Sequence, residues 1–416
     1  MAVEALSGAP HAEVLRRLYS TVLARTLRLT RALPDAEDAV QEAVARALES
    51  WPTRGMPDAP EAWLVTVAAN AHRDRLRRTW REDLRGDGLE SLAELSPWLE
   101  SAMRSPGVTR GFDDELLRLL FACCHPALGP GEGAALALAT VVGLSTNEIA
   151  HAFLVAHRSM EQRLARARRR LRARGDCEGT SLEESRERTP GVLQAIHLLF
   201  NEGYWSTSDA APLRQELCVL ALGLAHSLAA AFPDEPEALG LLALLTLHGA
   251  RHAARLGTAG EPVPLPEQDR SRWDRGAIER GVALLEQALA LGRPGPFQVE
   301  AAISALHCRA EAAVDTDWEE IAALYAALEH LRPTPAVRVN RAFAVARAAG
   351  ANAGLALLEA RDVDAASYPY VHLVRGALLE ELGRYDDARE ALELAAAHAR
   401  NARERAQIRS RLERIP

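Results

Sequence analysis

Gly143-Leu144-Ser145-Thr146-Asn147-Glu148-Ile149-Ala150 is the stretch on which the reading of this chain turns. Ser145 is a natural helix cap. Glu148, three residues on, can reach back to the amide of Ser145, the reciprocal pattern of a capping box. A short helix to Phe153 is expected next, then a turn at Leu154-Val155-Ala156, then a second helix from near Ser159. On that second helix Met160, Leu164, Ala167 and Leu171 recur at i, i+4, i+7 and i+11, one apolar stripe. The other face carries Arg158, Gln162, Arg163, Arg166, Arg169, Arg170 and Arg172, with Arg168, Arg174 and one acid, Glu161, close by. Such a helix seats its back on a small bundle and offers guanidinium groups to phosphates and guanine edges. Residues 131–174 therefore predict a DNA-binding helix-turn-helix, against the alternative of an ordinary solvated arginine-rich helix. The turn lacks the Gly common at such turns.

Charge fits that reading. The chain has 416 residues and a net charge of −8, unevenly spread. Residues 1–175 carry 24 Arg against 22 acids, and residues 176–416 carry 25 Arg against 35 acids. The first part suits a polyanionic partner, and the acidic second part would be repelled by phosphates. Every basic residue is Arg, which reads as the mark of a GC-rich coding sequence rather than of phosphate binding. A hydrophobic content of 48% is ample for two or three buried cores. Five Cys without framework spacing point to a reducing compartment. The first ten residues lack a secretion signal, and the best apolar runs are too short or broken to span a bilayer. A cytoplasmic protein with no membrane contact is expected.

Nearly every periodic segment is helical, so the expected fold class is all-α. Gly-, Ser- and Pro-marked stretches at 85–111 and 175–190 read as linkers. The expected domains are 10–84, 113–174, 190–275 and 276–416. In the last, Gly376, Gly383, Tyr385, Ala388, Leu392 and Ala395 match the small and apolar positions of a tetratricopeptide hairpin. Gly350, Gly354 and Leu358 lie about one 34-residue period earlier. Trp318, Leu324 and Tyr325 suggest a still earlier helix of the stack, and generic antiparallel helix pairs are the alternative.

Towards the N-terminus, residues 34–48 form an amphipathic helix with Asp35 as the natural cap. Val40, Val44, Ala47 and Leu48 make its buried stripe, and Glu37, Asp38, Gln41 and Glu42 an acidic outer face. Residues 61–78 form a second helix, apolar at its start and basic at its end.

Three segments then agree in order, spacing and charge: DAEDAVQEAVARAL at 35–48, EAWLVTVAANAHRDRLRR at 61–78 and RSMEQRLARARRRLR at 158–172. Over residues 10–175 the chain resembles a bacterial RNA polymerase sigma factor of the extracytoplasmic-function group. The remainder resembles the long helical extension of one subfamily, which ends in tetratricopeptide-like repeats. Its markers here are Leu199-Phe200-Asn201-Glu202-Gly203-Tyr204, Asp269-Arg270-Ser271-Arg272-Trp273-Asp274 and Cys123-Cys124-His125-Pro126.

The resemblance implies that Asp35, Glu37, Asp38, Gln41 and Glu42 dock on the clamp helices of the polymerase largest subunit, a basic partner for an acidic face. It implies that residues 50–60 and the helix at 61–78 read and open the element just upstream of the start, by flipping a base out of the stack. Asn70, Arg73, Arg77 and Arg78 are the contact candidates there. In the distal element Arg163 and Arg166 are the leading contacts, with Arg158, Glu161 and Gln162 as base readers. Glu161 can accept from cytosine N4. The chain departs from the family in offering only Trp51 and Trp63 as aromatics near the melting segment, and in carrying Ala69 where many relatives have Arg. No catalytic role, metal or cofactor is implied. The partners are polymerase core and promoter DNA, with a contact between extension and sigma-like domains inside the chain. The rival reading is a helix-turn-helix regulator or repeat-based scaffold that never meets polymerase, which has no use for an acidic helix at 35–42.

Two other constellations remain. Cys123-Cys124-His125 invites a metal reading, but adjacent cysteines do not easily share one tetrahedral centre, so buried helix residues are expected. Asn201-Glu202-Gly203-Tyr204 with His248, Arg251, Asp269, Arg272, Trp273 and Asp274 is the most polar group of the extension. It reads as a network pinning helices together or as a docking face, with a ligand pocket as the alternative. No nucleophile–base spacing or phosphate-binding glycine loop stands there.

Overall fold

A computed structural model describes residues 11–30, 33–83, 115–172, 182–206, 213–257, 263–360, 368, 370–399 and 402–416. The described residues are helical throughout, with no β-strand among them. They form two compact units, residues 1–150 with 156–199, and residues 151–155 with 200–416.

The first unit begins with α1 (Ala12–Thr30), α2 (Leu33–Arg54) and α3 (Pro60–Asp83), packed on one another. Val22 and Leu23 of α1, Val40 and Val44 of α2, and Leu64 and Ala68 of α3 are buried, each at its helical period. Asp35 lies within the first turn of α2 rather than at its cap, because the helix already starts at Leu33 with Pro34 in the first turn, a position proline tolerates. The helix also outruns its expected end at residue 48 and passes through Pro52. Burial explains this: Trp51 is 2% exposed and stands edge-on to both His11 and Trp63, at 5.9 and 5.6 Å between ring centroids.

Next come α4 (Glu115–Cys123), α5 (Pro130–Ala137), a π-helical turn (Leu138–Val142), α6 (Thr146–Ala152) and α7 (His157–Arg172). Gly143 ends the π turn with φ +76°, the left-handed conformation that an L side chain rarely adopts. The helix α8 (Leu182–Tyr204) starts well inside the stretch expected to be a linker. Ser185, Arg188 and Thr189 are buried there, and Arg188 Nη1 donates to the Phe121 carbonyl at 3.1 Å. Tertiary burial overrides the polar, Pro-containing composition. The first linker, 85–111, lies outside the described residues.

The second unit holds α9 (Gln215–Ala231), α10 (Pro236–Gly249), α11 (Arg275–Ala290), α12 (Pro296–Arg309), α13 (Trp318–Leu331), α14 (Pro335–Ala349), α15 (Ala351–Glu359), α16 (Tyr370–Glu381), α17 (Tyr385–Ala397) and α18 (Ala402–Leu412). The helix α10 packs on α11 and α12 and is apolar nearly all round. Its Glu237 accepts the amides of Phe297 and Gln298 at the start of α12, at 2.9 and 3.2 Å. Helices α14 and α15 form one hairpin, turned at Gly350, and α16 and α17 another, turned at Gly383. At Gly354 the close approach of α14 forces the choice of residue: a Cβ would stand 2.4 Å from that of Ala346. Gly376, Ala388, Leu392 and Ala395 meet in the second hairpin, while Tyr385 is 39% exposed.

Candidate nucleic-acid and polymerase interface

The expected capping box forms. Ser145 N–H donates to Glu148 Oε2 at 2.7 Å, and Glu148 N–H donates to Ser145 Oγ at 3.2 Å. The helix thus begun ends at Ala152, one residue short of expectation, and α7 starts at His157, two residues early. Between them Leu154 takes φ +53°, supplying with an ordinary side chain the left-handed residue that Gly more often provides.

On α7 Met160, Leu164, Ala167 and Leu171 are all buried, so the apolar stripe faces the core. Arg158, Gln162 and Arg166 are exposed and Arg163 is half-buried. Among the described residues none of these four side chains has a hydrogen-bond or ion-pair partner. Glu161 is exposed and faces His157 Nδ1 at 3.8 Å. The inner flank behaves differently. Arg170 pairs with Glu132 at 2.6 Å, and Arg168 faces Glu37 at 3.9 Å. Acids on neighbouring helices therefore sort the arginines of one helix into a paired row and a row with no partner among the described residues.

Four of the five polar residues singled out on α2 stay accessible. Gln41 and Glu42 are exposed, and Asp35 and Asp38 half-buried. Arg75 of α3 reaches Asp38 at 3.0 Å, and Arg46 reaches Glu42 at 3.0 Å. Glu37 is the correction. The sequence pattern puts it on the outer face, yet it is 7% exposed, and Thr140 Oγ1 donates to it at 2.7 Å. Its position one step inward, beside the buried Ala36 and Val40, turns it towards the π turn and α7. Tyr19 sits beside it, its hydroxyl pKa raised first by burial and then by Glu37. Sequence reasoning misses this contact because Thr140 is 103 residues away and carries no motif.

On α3 Asn70 is exposed, while the side chains of Arg73, Arg77 and Arg78 lie outside the described residues, as do that of Arg172 and all of Arg174. Trp51 is buried and Trp63 half-buried. Cys123 and Cys124 are buried, and burial pushes the Cys124 thiol up to about 12. The His125 ring accepts the Ala127 amide at 3.0 Å.

In the extension the polar constellation splits. Asp269 and Asp274 are exposed; Asp269 caps a short 3-10 turn through Ser271, and Asp274 caps α11 through Ala277. Arg272 is exposed, Arg251 and Trp273 are buried, and Glu202 is buried and accepts from Ser206 at 3.1 Å. Two buried arginines outside the expected set, Arg255 and Arg270, join Arg251. No sequence periodicity marks them. Among the described residues no helix is long and apolar enough to cross a membrane.

Residues 14–82 match the family described as Sigma-70 region 2, and residues 188–289 match a family of unknown function, DUF6596. The first match covers α1, α2 and α3, and the second runs from within α8 into α11. An uncharacterized protein of Rhizobium meliloti (strain 1021) is 43% identical over 396 residues, covering 94% of this chain and 92% of its own length. No solved structure matches the chain. The chain belongs to the same family as that Rhizobium meliloti protein, and its residues 14–82 are similar to region 2 of sigma-70 factors, which act with RNA polymerase in transcription initiation.

Proposed function

We propose that this chain is a sigma factor of the extracytoplasmic-function group that docks on polymerase core through α2, reads the distal promoter element with α7, and is regulated by its own C-terminal extension. One observation carries the reading. Behind the region-2 helices, a capped helix and turn lead into α7, whose exposed Arg158, Gln162 and Arg166 and half-buried Arg163 have no partner among the described residues. Unpaired guanidinium groups on a rigid helix suit phosphate and guanine contacts, and Gln162 and Glu161 suit adenine and cytosine edges.

In this reading residues 10–84 bind core and the proximal element, with Asn70, Arg73, Arg77 and Arg78 at the DNA. Residues 113–174 read the distal element, 190–275 form a helical extension domain, and 276–416 are tetratricopeptide-like. The paired hairpins α14–α15 and α16–α17 support that last assignment. Asp35, Asp38, Gln41 and Glu42 meet the clamp helices first. Glu37, held by Thr140 and Arg168, becomes available only when α2 and α7 part. The acidic extension stands in for a separate antagonist by competing with DNA for Arg163 and Arg166.

The test is transcription in vitro with polymerase core. Full-length protein is expected to direct initiation at discrete start sites that core alone does not use. A truncation should end after Tyr204 rather than near Arg174, because the first unit runs to Leu199 and Arg188 holds the Phe121 carbonyl. Equal promoter output and equal core binding by both forms would remove the regulatory role from the extension. Absence of discrete initiation by either would overturn the sigma reading.

A further inference from the structure

Among the described residues of the second unit, three arginines are more than nine-tenths buried: Arg251 at 5%, Arg255 at 8% and Arg270 at 8% exposure. A buried guanidinium is costly unless charge or hydrogen bonds replace its water. Arg270 has that replacement. Its Nη1 donates to the carbonyls of His307 and Ala310, both at 2.7 Å, its Cζ lies 4.6 Å from the Trp273 ring centre, and Asp315 is within electrostatic reach. Arg255 has part of it, its Cζ lying 3.4 Å over the Tyr204 ring. That ring is itself stacked on His248, 5.3 Å away.

Arg251 has none of it. Among the described residues its guanidinium makes no ion pair and no hydrogen bond, and its Nε is sealed from solvent without a partner. The carboxylates that could answer it are engaged elsewhere. Glu202 accepts from Ser206, Glu300 pairs with Arg332 at 2.9 Å, and Asp269 and Asp274 cap their own turns at the surface. Arg255 and Arg270 each lie within electrostatic reach of Arg251, so it has like charges for neighbours. Arg251 and Arg270 also act on His307, whose pKa is pressed down to about 4 by burial first and then by these two charges.

We propose that Arg251, flanked by Arg255 and Arg270, is the receptor for a compact oxyanion, a phosphate or carboxylate group of a small ligand bound by the extension. A planar guanidinium fork suits either group bidentately. A buried guanidinium with no carboxylate or carbonyl of its own is an arrangement that folding alone does not favour. The site is independent of polymerase or DNA binding by the first unit.

The test uses the full chain and thermal unfolding with inorganic phosphate, with succinate, and with sodium chloride at matched ionic strength. A ligand of the folded state alone raises the midpoint by mass action. Phosphate or succinate at millimolar concentration is expected to raise it by about 2 °C or more beyond chloride. Phosphate alone acting assigns a phosphate ligand, and succinate alone a carboxylate. Arg251→Met should abolish the rise, while the exposed Arg272→Ala keeps it. Should Arg251→Met fail to fold, Arg251→Lys keeps the charge without the fork and should need several-fold more anion for the same rise. No rise beyond chloride in the wild type overturns the site, as does a rise of equal size in Arg251→Met or an unshifted concentration dependence in Arg251→Lys.

Discussion

Arg163 and Arg166 on α7 and Arg251 and Arg255 after α10 are the same side chain in opposite circumstances. The first pair stands on the outer flank of a helix whose apolar stripe is fully committed to the core, with no partner among the described residues. Water solvates these charges at little cost, and they stay available to any polyanion that approaches. The second pair is buried, stacked or unanswered, and its charges act at short range on neighbours such as His252 and His307. A count of arginines therefore says little about function. Position relative to the core decides whether a guanidinium addresses a large external polyanion or a small internal anion.

The contrast is most exposed to failure at the outer pair. Arg163→Ala with Arg166→Ala should weaken promoter binding by about 1–3 kcal/mol for each base edge that is no longer read. If the pair touches phosphates instead, the slope of log affinity against log salt should fall by about 2. Filter binding or anisotropy across a salt series separates the two. Unchanged affinity at every salt would place the DNA elsewhere.

On the buried side the expected effect is on stability and is at most about 3 kcal/mol. His307 is held well below its ordinary value in the folded state, so the unfolded chain takes up its proton first on acidification. Its contribution is present above about pH 6.5 and is lost as pH falls towards 4. Denaturant unfolding at pH 7.5 and 4.5 should show a smaller acid loss in His307→Gln than in the wild type. An equal loss would mean that burial and its charged neighbours do not hold this ring below its ordinary value.

The smallest effect belongs to the start of α6. Ser145→Ala removes one arm of the capping box and should cost about 1 kcal/mol. A melting curve that does not move would mean that packing of Ile149 and Ala150 alone fixes α6.

Much of the first unit can be read from the sequence because its signals are local. The capping box spans three residues, and the stripe of Met160, Leu164, Ala167 and Leu171 repeats at the helical period. Both appear as expected. The hairpin glycines Gly350 and Gly383 are readable for the same reason, since a tight turn demands a particular backbone. What escapes is non-local. Glu37 reads as one more acid on an acidic face, and only the fold brings Thr140 and Arg168 to it. The early start of α8 depends on pockets for Ser185, Arg188 and Thr189 that no window of sequence reveals. Arg255 and Arg270 escape because a buried arginine looks like any other in a chain whose every basic residue is Arg.

Everything proposed for the first unit depends on the accessible polar face of α2 serving polymerase. The decisive experiment is binding of full-length protein to polymerase core, measured beside Asp38→Arg with Glu42→Arg. The double charge reversal leaves the core residues Val40 and Val44 untouched and should cost about 2–5 kcal/mol of core affinity. Tight binding by the wild type and its disappearance in a folded variant is the predicted result. Equal binding by both proteins, or none by the wild type under conditions where residues 1–206 also fail to bind, would contradict the account.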